Sequence, residues 1–488
     1  MFAKVNKNNE EEARFEKTLP LQVSNFRRIL PQESMYFESA DATCFGSIYL
    51  IILPIGTIIS GYITEATGRR TSLIICCIPL IIGWLICYLS TNILMLFIGD
   101  IFLGFGTGLM EPPIIAYVAE SSQESVRGIL ISLNSITVTL GIYLTLFLQA
   151  MVSWRILTLI GMAFAIVGIF VVFLIPESPL WLISKNRYEL AMKNLQCLRG
   201  CVAREAVKDE FEKMKMYVEN ANKCQQCSKE NIECLHPKPT IMEKIKSLNH
   251  KKYRRLFLIL IELSIVSYLG GYLTLRPFLF QVLSSYAIPI EIKKAVAYIG
   301  TAQVLANILN TFSLKILGKR HIYFIGIVGN ILCCIYLATF GAICFPENYY
   351  SNAENQNQKL NYESCSRYFT FFIFYMLIFF TSYGVAVMPW ILVGEITPIN
   401  YKGFVVGTFC AIFYYMNFIG HKSYLYIEWA LTLNGIMWFF LTINIIGLVF
   451  AYFFLFETEG HSLNEIEDHL MYTSYTNTKI QKARAIEN

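Results

Sequence analysis

Eleven stretches of the chain, each about twenty residues long, are almost wholly apolar. They lie near 43–63, 72–90, 94–118, 131–150, 155–175, 255–275, 295–316, 321–343, 369–393, 404–424 and 433–455. A hydrocarbon core roughly 30 Å thick is crossed by a helix of about 20 residues. Lipid offers backbone groups no hydrogen bonds, so a spanning chain is helical or a closed barrel. These runs are continuous, whereas a barrel strand alternates, so helices are expected. Hydrophobic residues make up 55% of the 488 and charged residues 15%. A soluble domain of this size could not hide so much apolar surface. The fold class expected is an all-α, multi-pass membrane protein of about eleven spans.

Charge placement orients the spans. Arg69, Arg70, Arg127, Lys185, Arg187, the run from Lys244 to Arg255, Lys319, Arg320 and Lys402 fall at alternate connections. The positive-inside rule makes that face cytoplasmic, and a cell-membrane, multi-pass location is expected. The opposite connections are poorer, with Arg276, Lys293, Lys294, Lys359 and Arg367 as exceptions. The net charge of +5 includes no basic run with interleaved aromatics, so nucleic acid is not an expected partner; the lipid bilayer is. Residues 1–36 hold no apolar stretch, hence neither a cleavable leader nor a first span is expected there. The chain divides into a polar segment 1–42, a five-span bundle 43–175, a cytoplasmic linker with helices 176–254, a six-span bundle 255–455 and a cytoplasmic tail 456–488.

Most of the 14 cysteines sit in apolar runs, where a small buried residue is the plain reading. Cys344 and Cys365 flank an outer connection and form one candidate pair. Cys224, Cys227, Cys234 and His236 are four donors in a cytoplasmic loop, but their spacing matches no usual zinc module, so free thiols are expected there. No metal or cofactor is called for. No nucleophile–base arrangement stands out either, so an enzyme is not expected.

Three motifs occur twice. Gly68-Arg69-Arg70 returns as Gly318-Lys319-Arg320. Glu120 followed by Arg127-Gly128 returns as Glu395 followed by Lys402-Gly403. Glu177-Ser178 returns, more loosely, as Glu457-Thr458. Duplicated bundles related by an axis along the membrane normal are a transporter architecture. One span precedes Gly68 where two precede Gly318 in the second half, so the element lacking is the first helix.

The segments GYITEATGRR (61–70), YVAESSQESVRG (117–128), PESPLWL (176–182), PWILVGEITPINYKG (389–403) and ETEGHSLNEIE (457–467) resemble the signatures of the sugar porters of the major facilitator superfamily, in particular those of insect facilitated trehalose transporters. The resemblance covers about 43–470, and five motifs in order at span ends are specific together where each alone is weak. It implies the major facilitator fold: two pseudo-symmetric helical bundles rocking about a central cavity, here with the usual first span missing. It also implies that Arg69, Arg70 and Arg127 pair with Glu120 and Glu177, and that Lys319, Arg320 and Lys402 pair with Glu395 and Glu457. Such pairs would act as gating salt bridges, partly solvated and worth roughly 1 kcal/mol each, strong enough to hold and weak enough to break. The plain alternative is that basic residues only anchor helix ends. The acid that usually stands three residues before the second motif is Lys315 here.

At the solute site the resemblance thins. Amides match vicinal hydroxyls and an aromatic face packs on a sugar's C–H surface. Of the family's binding positions, Trp390 is kept, the eighth-helix Asn position reads Gln303, still an amide, and the others read Ser135, Ser264-Ile265 and Gly270. The hinge YGVAVMPW keeps Gly384 and Pro389. Gln303, Asn307 and Asn310 share one helix face. Ser132, Ser135 and Thr139 share another, as do Ser264, Ser267 and Tyr268; small polar residues in such stripes also serve to join membrane helices. Three acids lie within spans: Asp100, Glu111 and Glu262. A carboxylate near mid-depth is costly, which makes Glu111 a candidate for binding a proton or a cationic group, or else a protonated helix contact. The solute-binding set expected is Gln303, Trp390, Ser135, Ser264, Asn307 and Glu111. The reading is a facilitative carrier of a small sugar, trehalose or a hexose. A non-transporting sensor or scaffold on the same fold, and a carrier of another polar or cationic solute, are the alternatives. Nothing in the sequence sets an oligomeric state.

Overall fold

A computed structural model describes residues 39–149, 152–222, 251–344, 364–397 and 402–458, and these are helical almost throughout. The first half contains α1 (Ser39–Thr67), α2 (Arg69–Leu89), α3 (Ile93–Ser121), α4 (Glu124–Gln149) and α5 (Trp154–Leu174). Three short helices follow at the basic end: α6 (Pro179–Ser184), α7 (Tyr188–Leu198) and α8 (Lys208–Asn222). The second half opens with α9 (Lys251–Leu269), which breaks and resumes as α10 (Tyr272–Leu275) and α11 (Leu279–Ser285). Then come α12 (Ile292–Leu317), α13 (Lys319–Cys344), α14 (Ser364–Phe380), α15 (Met388–Ile396) and α16 (Lys402–Phe454).

Every expected span falls on a helix. Among the described residues nine helices are long and apolar enough to cross a membrane alone, and the bent pair through α9 makes ten. α12 is also 26 residues long, but Gln303, Asn307 and Asn310 make it more polar. Exposed apolar side chains such as Phe164, Phe170, Val171 and Leu174 coat α5 on its outward side, as lipid contact requires. α16 holds two of the expected spans in one run, bent where Thr432 takes a φ of 65°.

One boundary differs from expectation. The span expected to end at 275 turns by 48° at Gly270-Gly271 and continues to Ser285. Gly271 takes a φ of 149°, open to glycine at little cost. The freed carbonyl of Gly270 accepts a hydrogen bond from Asn444 Nδ2 at 2.6 Å, so the break lies inside protein with its backbone satisfied. Prolines create similar vacancies, each removing the bond to the carbonyl four residues earlier. Pro113 frees Leu109 O, which accepts from Ser60 Oγ and Cys76 Sγ. Pro389 frees Val385 O, which accepts from Ser267 Oγ at 2.8 Å. The turn just before it, Thr381–Val385, is a π-helical bulge whose Tyr383 O accepts from Asn310 Nδ2 at 2.5 Å.

Two buried clusters dominate the core. One lies wholly in the second half around Tyr286, Phe374 and Phe440. The other joins Ile115, Ala119 and Ile131 of the first half to Leu392, Val393 and Val405 of the second. The halves therefore share a core near their basic ends.

Candidate functional site

The duplicated motifs build the same constellation twice. In the first half the Arg69 guanidinium donates to Glu120 Oε1 from Nε at 3.1 Å and from Nη2 at 2.7 Å. The Ser178 hydroxyl donates to Glu120 Oε2 at 2.6 Å. Glu177 caps the start of α2, accepting from the backbone N–H of Arg69 at 2.9 Å and of Arg70 at 3.1 Å. In the second half Lys319 Nζ donates to both oxygens of Glu395 at 2.9 Å. The Thr458 hydroxyl donates to Glu395 Oε2 at 2.9 Å. Glu457 caps α13 through the N–H groups of Lys319 at 3.1 Å and Arg320 at 3.0 Å.

Backbone geometry explains the glycine ahead of each basic pair. Gly68 and Gly318 sit at φ 101° and 75°, and a Cβ there would meet the capping carboxylate of Glu177 or Glu457. A carboxylate at a helix N-terminus is favoured by the four unpaired N–H groups and the helix dipole.

The expectation of partly solvated pairs does not hold. Arg69 and Glu120 are 4% and 0% exposed, and Lys319 and Glu395 are 3% and 4%. Hydroxyls and backbone groups complete the bonding of each carboxylate, which is what lets a charge pair stay buried. Both pairs also join helices of the same half. Arg70 and Arg320 direct their guanidinium groups to carbonyls at neighbouring helix ends, Phe173 O at 2.6 Å and Tyr452 O at 3.0 Å. The side chains of Arg127 and Lys402 lie outside the described residues, as do Cys365, the Cys224 to His236 cluster and residues 1–38.

Contacts between the halves come from elsewhere. At the basic end α1 crosses the start of α16 through Gly61, Gly403 and Gly407, with backbone against backbone. Glu65 of α1 accepts the backbone N–H of Phe404 at 3.2 Å, capping α16 across the boundary. A second seam joins α4 to α12. Ser132 and Thr311 share a hydroxyl bond at 2.8 Å, and Asn307 Nδ2 donates to Thr139 Oγ1 at 2.8 Å. The linker helices dock through Arg199, which binds Glu210 at 2.6 Å and donates to Ser121 O at the end of α3 at 3.1 Å.

Sequence reasoning missed Ser178, Thr458, Glu65 and Arg199. The first three were marked by their places in the repeats and in GYITEATGRR. Arg199 carried no sequence signal for its docking on α3, since Ser121 lies 78 positions away.

Nearer mid-depth the expected solute residues separate. Glu111 stands nine residues before Glu120 on α3, about 14 Å along the axis at helical rise. Tyr414 of α16 lies within its electrostatic reach, while its Oε2 is buried without a hydrogen-bond partner. Tyr414 neighbours Trp390 at 6.0 Å between centroids, and Trp390 meets Phe413 edge-on at 4.5 Å. Tyr268 closes the group, 4.7 Å from Phe413. Gln303 lies apart from this set in its bonding, accepting from Tyr272 at 3.3 Å. Asn307 is engaged in the α4–α12 seam. Ser264, fully buried, bonds Leu260 O of its own helix, and Ser135 supplies a carbonyl to Thr139. Glu262 is half-buried on α9, and Asp100 is buried on α3.

Across residues 2–470 the chain matches the model of a family described as sugar (and other) transporter. It belongs to that family. Among sugar-transporter relatives, the facilitated trehalose transporter of Apis mellifera ligustica is 26% identical over 427 residues, 87% of this chain and 79% of the relative. That of Polypedilum vanderplanki is 27% identical over 431 residues, 88% and 80% of the two chains. The sugar transporter ERD6-like 6 of Arabidopsis thaliana is 27% identical over 434 residues, 88% and 82%. The fold of this family member is also that of the proton:xylose symporter XylE bound to 6-bromo-6-deoxy-D-glucose, with a TM-score of 0.70 at 15% identity over 93% and 95% of the two chains. Against the inward open conformation of XylE from E. coli the TM-score is 0.58 at 17% identity, over 87% and 88%. This sugar-transporter family member is thus a multi-pass membrane protein of the major facilitator fold.

Proposed function

We propose that this chain is a facilitative carrier that moves a small sugar, trehalose or a hexose, across the cell membrane by alternating access. The observation that carries the reading is the twice-built constellation: two internally braced halves, meeting at their basic ends, with an aromatic and acidic group between them. In this mechanism each half moves as a unit. The buried pairs Arg69–Glu120 and Lys319–Glu395 hold the helix ends of each half in register. The Glu65 cap and the glycine seam form the closed cytoplasmic door and part when the cavity opens inward. Arg127 and Lys402, by their places in the motifs, would add charge to the same door.

The sugar would rest on the Trp390 indole, exchange hydrogen bonds with Gln303 and donate a hydroxyl hydrogen bond to Glu111. Asn307, Ser264 and Ser135 are better placed to bind helices than solute, because their hydrogen bonds run along or between helices. Radiolabelled trehalose and hexose uptake into proteoliposomes tests the proposal. Saturable, unlabelled-sugar-accelerated exchange is expected. Reconstituted, correctly inserted protein that exchanges no sugar would retire the reading in favour of a non-transporting scaffold.

A further inference from the structure

We infer that the solute carried by this protein bears a protonated amine as well as hydroxyls, an amino sugar being the simplest member of the class, and that Glu111 receives the amine. This rests on the carrier reading above and narrows its cargo. Glu111 Oε2 is buried with no hydrogen-bond partner. The Tyr414 phenol lies within its electrostatic reach. The titratable groups within its electrostatic reach on other elements are Tyr49 of α1, Tyr268 of α9, and Cys410 and Tyr414 of α16. None of these is a cation, and among the described residues no Lys, Arg or His ion-pairs with Glu111.

The two carboxylates buried at the basic end are treated differently, whereas Asp100, buried further along α3, likewise leaves Oδ2 without a hydrogen-bond partner. Glu120 and Glu395 each have a basic partner and a hydroxyl. A buried charge is otherwise costly, and here one oxygen is left without a partner and no counter-charge is supplied among the described residues. Tyr414 and Tyr268, both within its electrostatic reach, belong to an aromatic group in ring contact with Trp390 and Phe413. Carboxylate beside ring faces is the chemistry that recognises an ammonium group, through a charge-assisted hydrogen bond and cation–π attraction. A neutral hydroxyl would satisfy the oxygen but leave the charge.

The full-length protein in proteoliposomes provides the test, with three labelled probes on one ring scaffold: glucose, glucosamine and N-acetylglucosamine. Acetylation removes the charge and keeps the ring. Glucosamine uptake should exceed that of the acetylated sugar by about tenfold, and an inside-negative potential should accelerate glucosamine alone. Glu111→Gln should collapse that preference toward unity, and Glu111→Asp should retain part of it. Glucose uptake with no preference for glucosamine, insensitive to potential, overturns the inference and leaves the carrier reading standing. So does glucose uptake that acidifies the lumen and loses that acidification in Glu111→Gln, because the carboxylate then carries a proton. Failure to move any of the probes, or trehalose, overturns both. The wild-type preference and its voltage response decide the matter even if the Gln variant cannot be reconstituted.

Discussion

Arg69 and Lys319 occupy the same place in the two halves, yet they satisfy their glutamates differently. Arginine reaches Glu120 Oε1 through two nitrogens and has a third left for Thr64 O at 3.1 Å. Lysine shares one ammonium between both oxygens of Glu395. Removing either acid would strand a buried cation, which typically costs on the order of 3 kcal/mol or more. Glu120→Gln and Glu395→Gln are therefore expected to lower the thermal stability of the detergent-solubilised protein sharply. Ser178→Ala and Thr458→Ala should each cost about 1 kcal/mol, the worth of one hydrogen bond. Fluorescence-detected melting checks both; equal losses for acid and hydroxyl variants would refute this ranking. The acids were legible in the sequence because they recur beside bases. The hydroxyls stood in the same repeat, but only geometry shows that each faces the neighbouring carboxylate.

Among elements, the interrupted helices are the most informative. Gly270-Gly271, Pro113 and Pro389 each release a carbonyl, and each carbonyl is met by a side chain from another helix: Asn444, Ser60 and Ser267. Several of the polar stripes visible in the sequence thus serve the backbone. Asn444→Ala should leave Gly270 O unsatisfied at a cost of about 1–3 kcal/mol. Hydrogen exchange should then quicken locally across 266–275, where the break is held; unchanged protection there would show that the bond contributes nothing. Helix positions were readable because the apolar runs are long and continuous. The extension to Ser285 was not, since Gly270-Gly271 and Arg276-Pro277 carry the marks of a helix end. What keeps the turn helical is a buried patch, Phe278 stacked on Tyr424 at 4.3 Å, formed by residues far apart in the chain.

At the scale of the molecule, the two halves are asymmetric at their meeting point. Glu65 caps α16 across the boundary, but the residue in its repeat position is Lys315, which is exposed. One latch of this kind is built and its counterpart carries the opposite charge. Losing the Glu65 cap should favour the inward-open state by about 1 kcal/mol, the scale of a charge at a helix terminus. In a variant whose only cysteine is the buried Cys410, Glu65→Ala should raise maleimide labelling from the cytoplasmic side several-fold, and Lys315→Glu should lower it. Labelling that ignores both substitutions would remove Glu65 from the door. The two-bundle architecture was legible from duplicated motifs. The cross-boundary partners were not, because Glu65 and Phe404 stand 339 positions apart with nothing in either to mark the other.

The burial of the two ion pairs has a consequence for how the protein meets its surroundings. Dissolved salt weakens attractions that water can reach and barely alters those enclosed by protein. With Arg69–Glu120 and Lys319–Glu395 almost sealed off, brine would leave the interior of either half untouched. The partly exposed Glu65 contact between the halves is within its reach, so a salty cytosol would tilt the resting protein toward its inward-facing form while the sealed pairs hold.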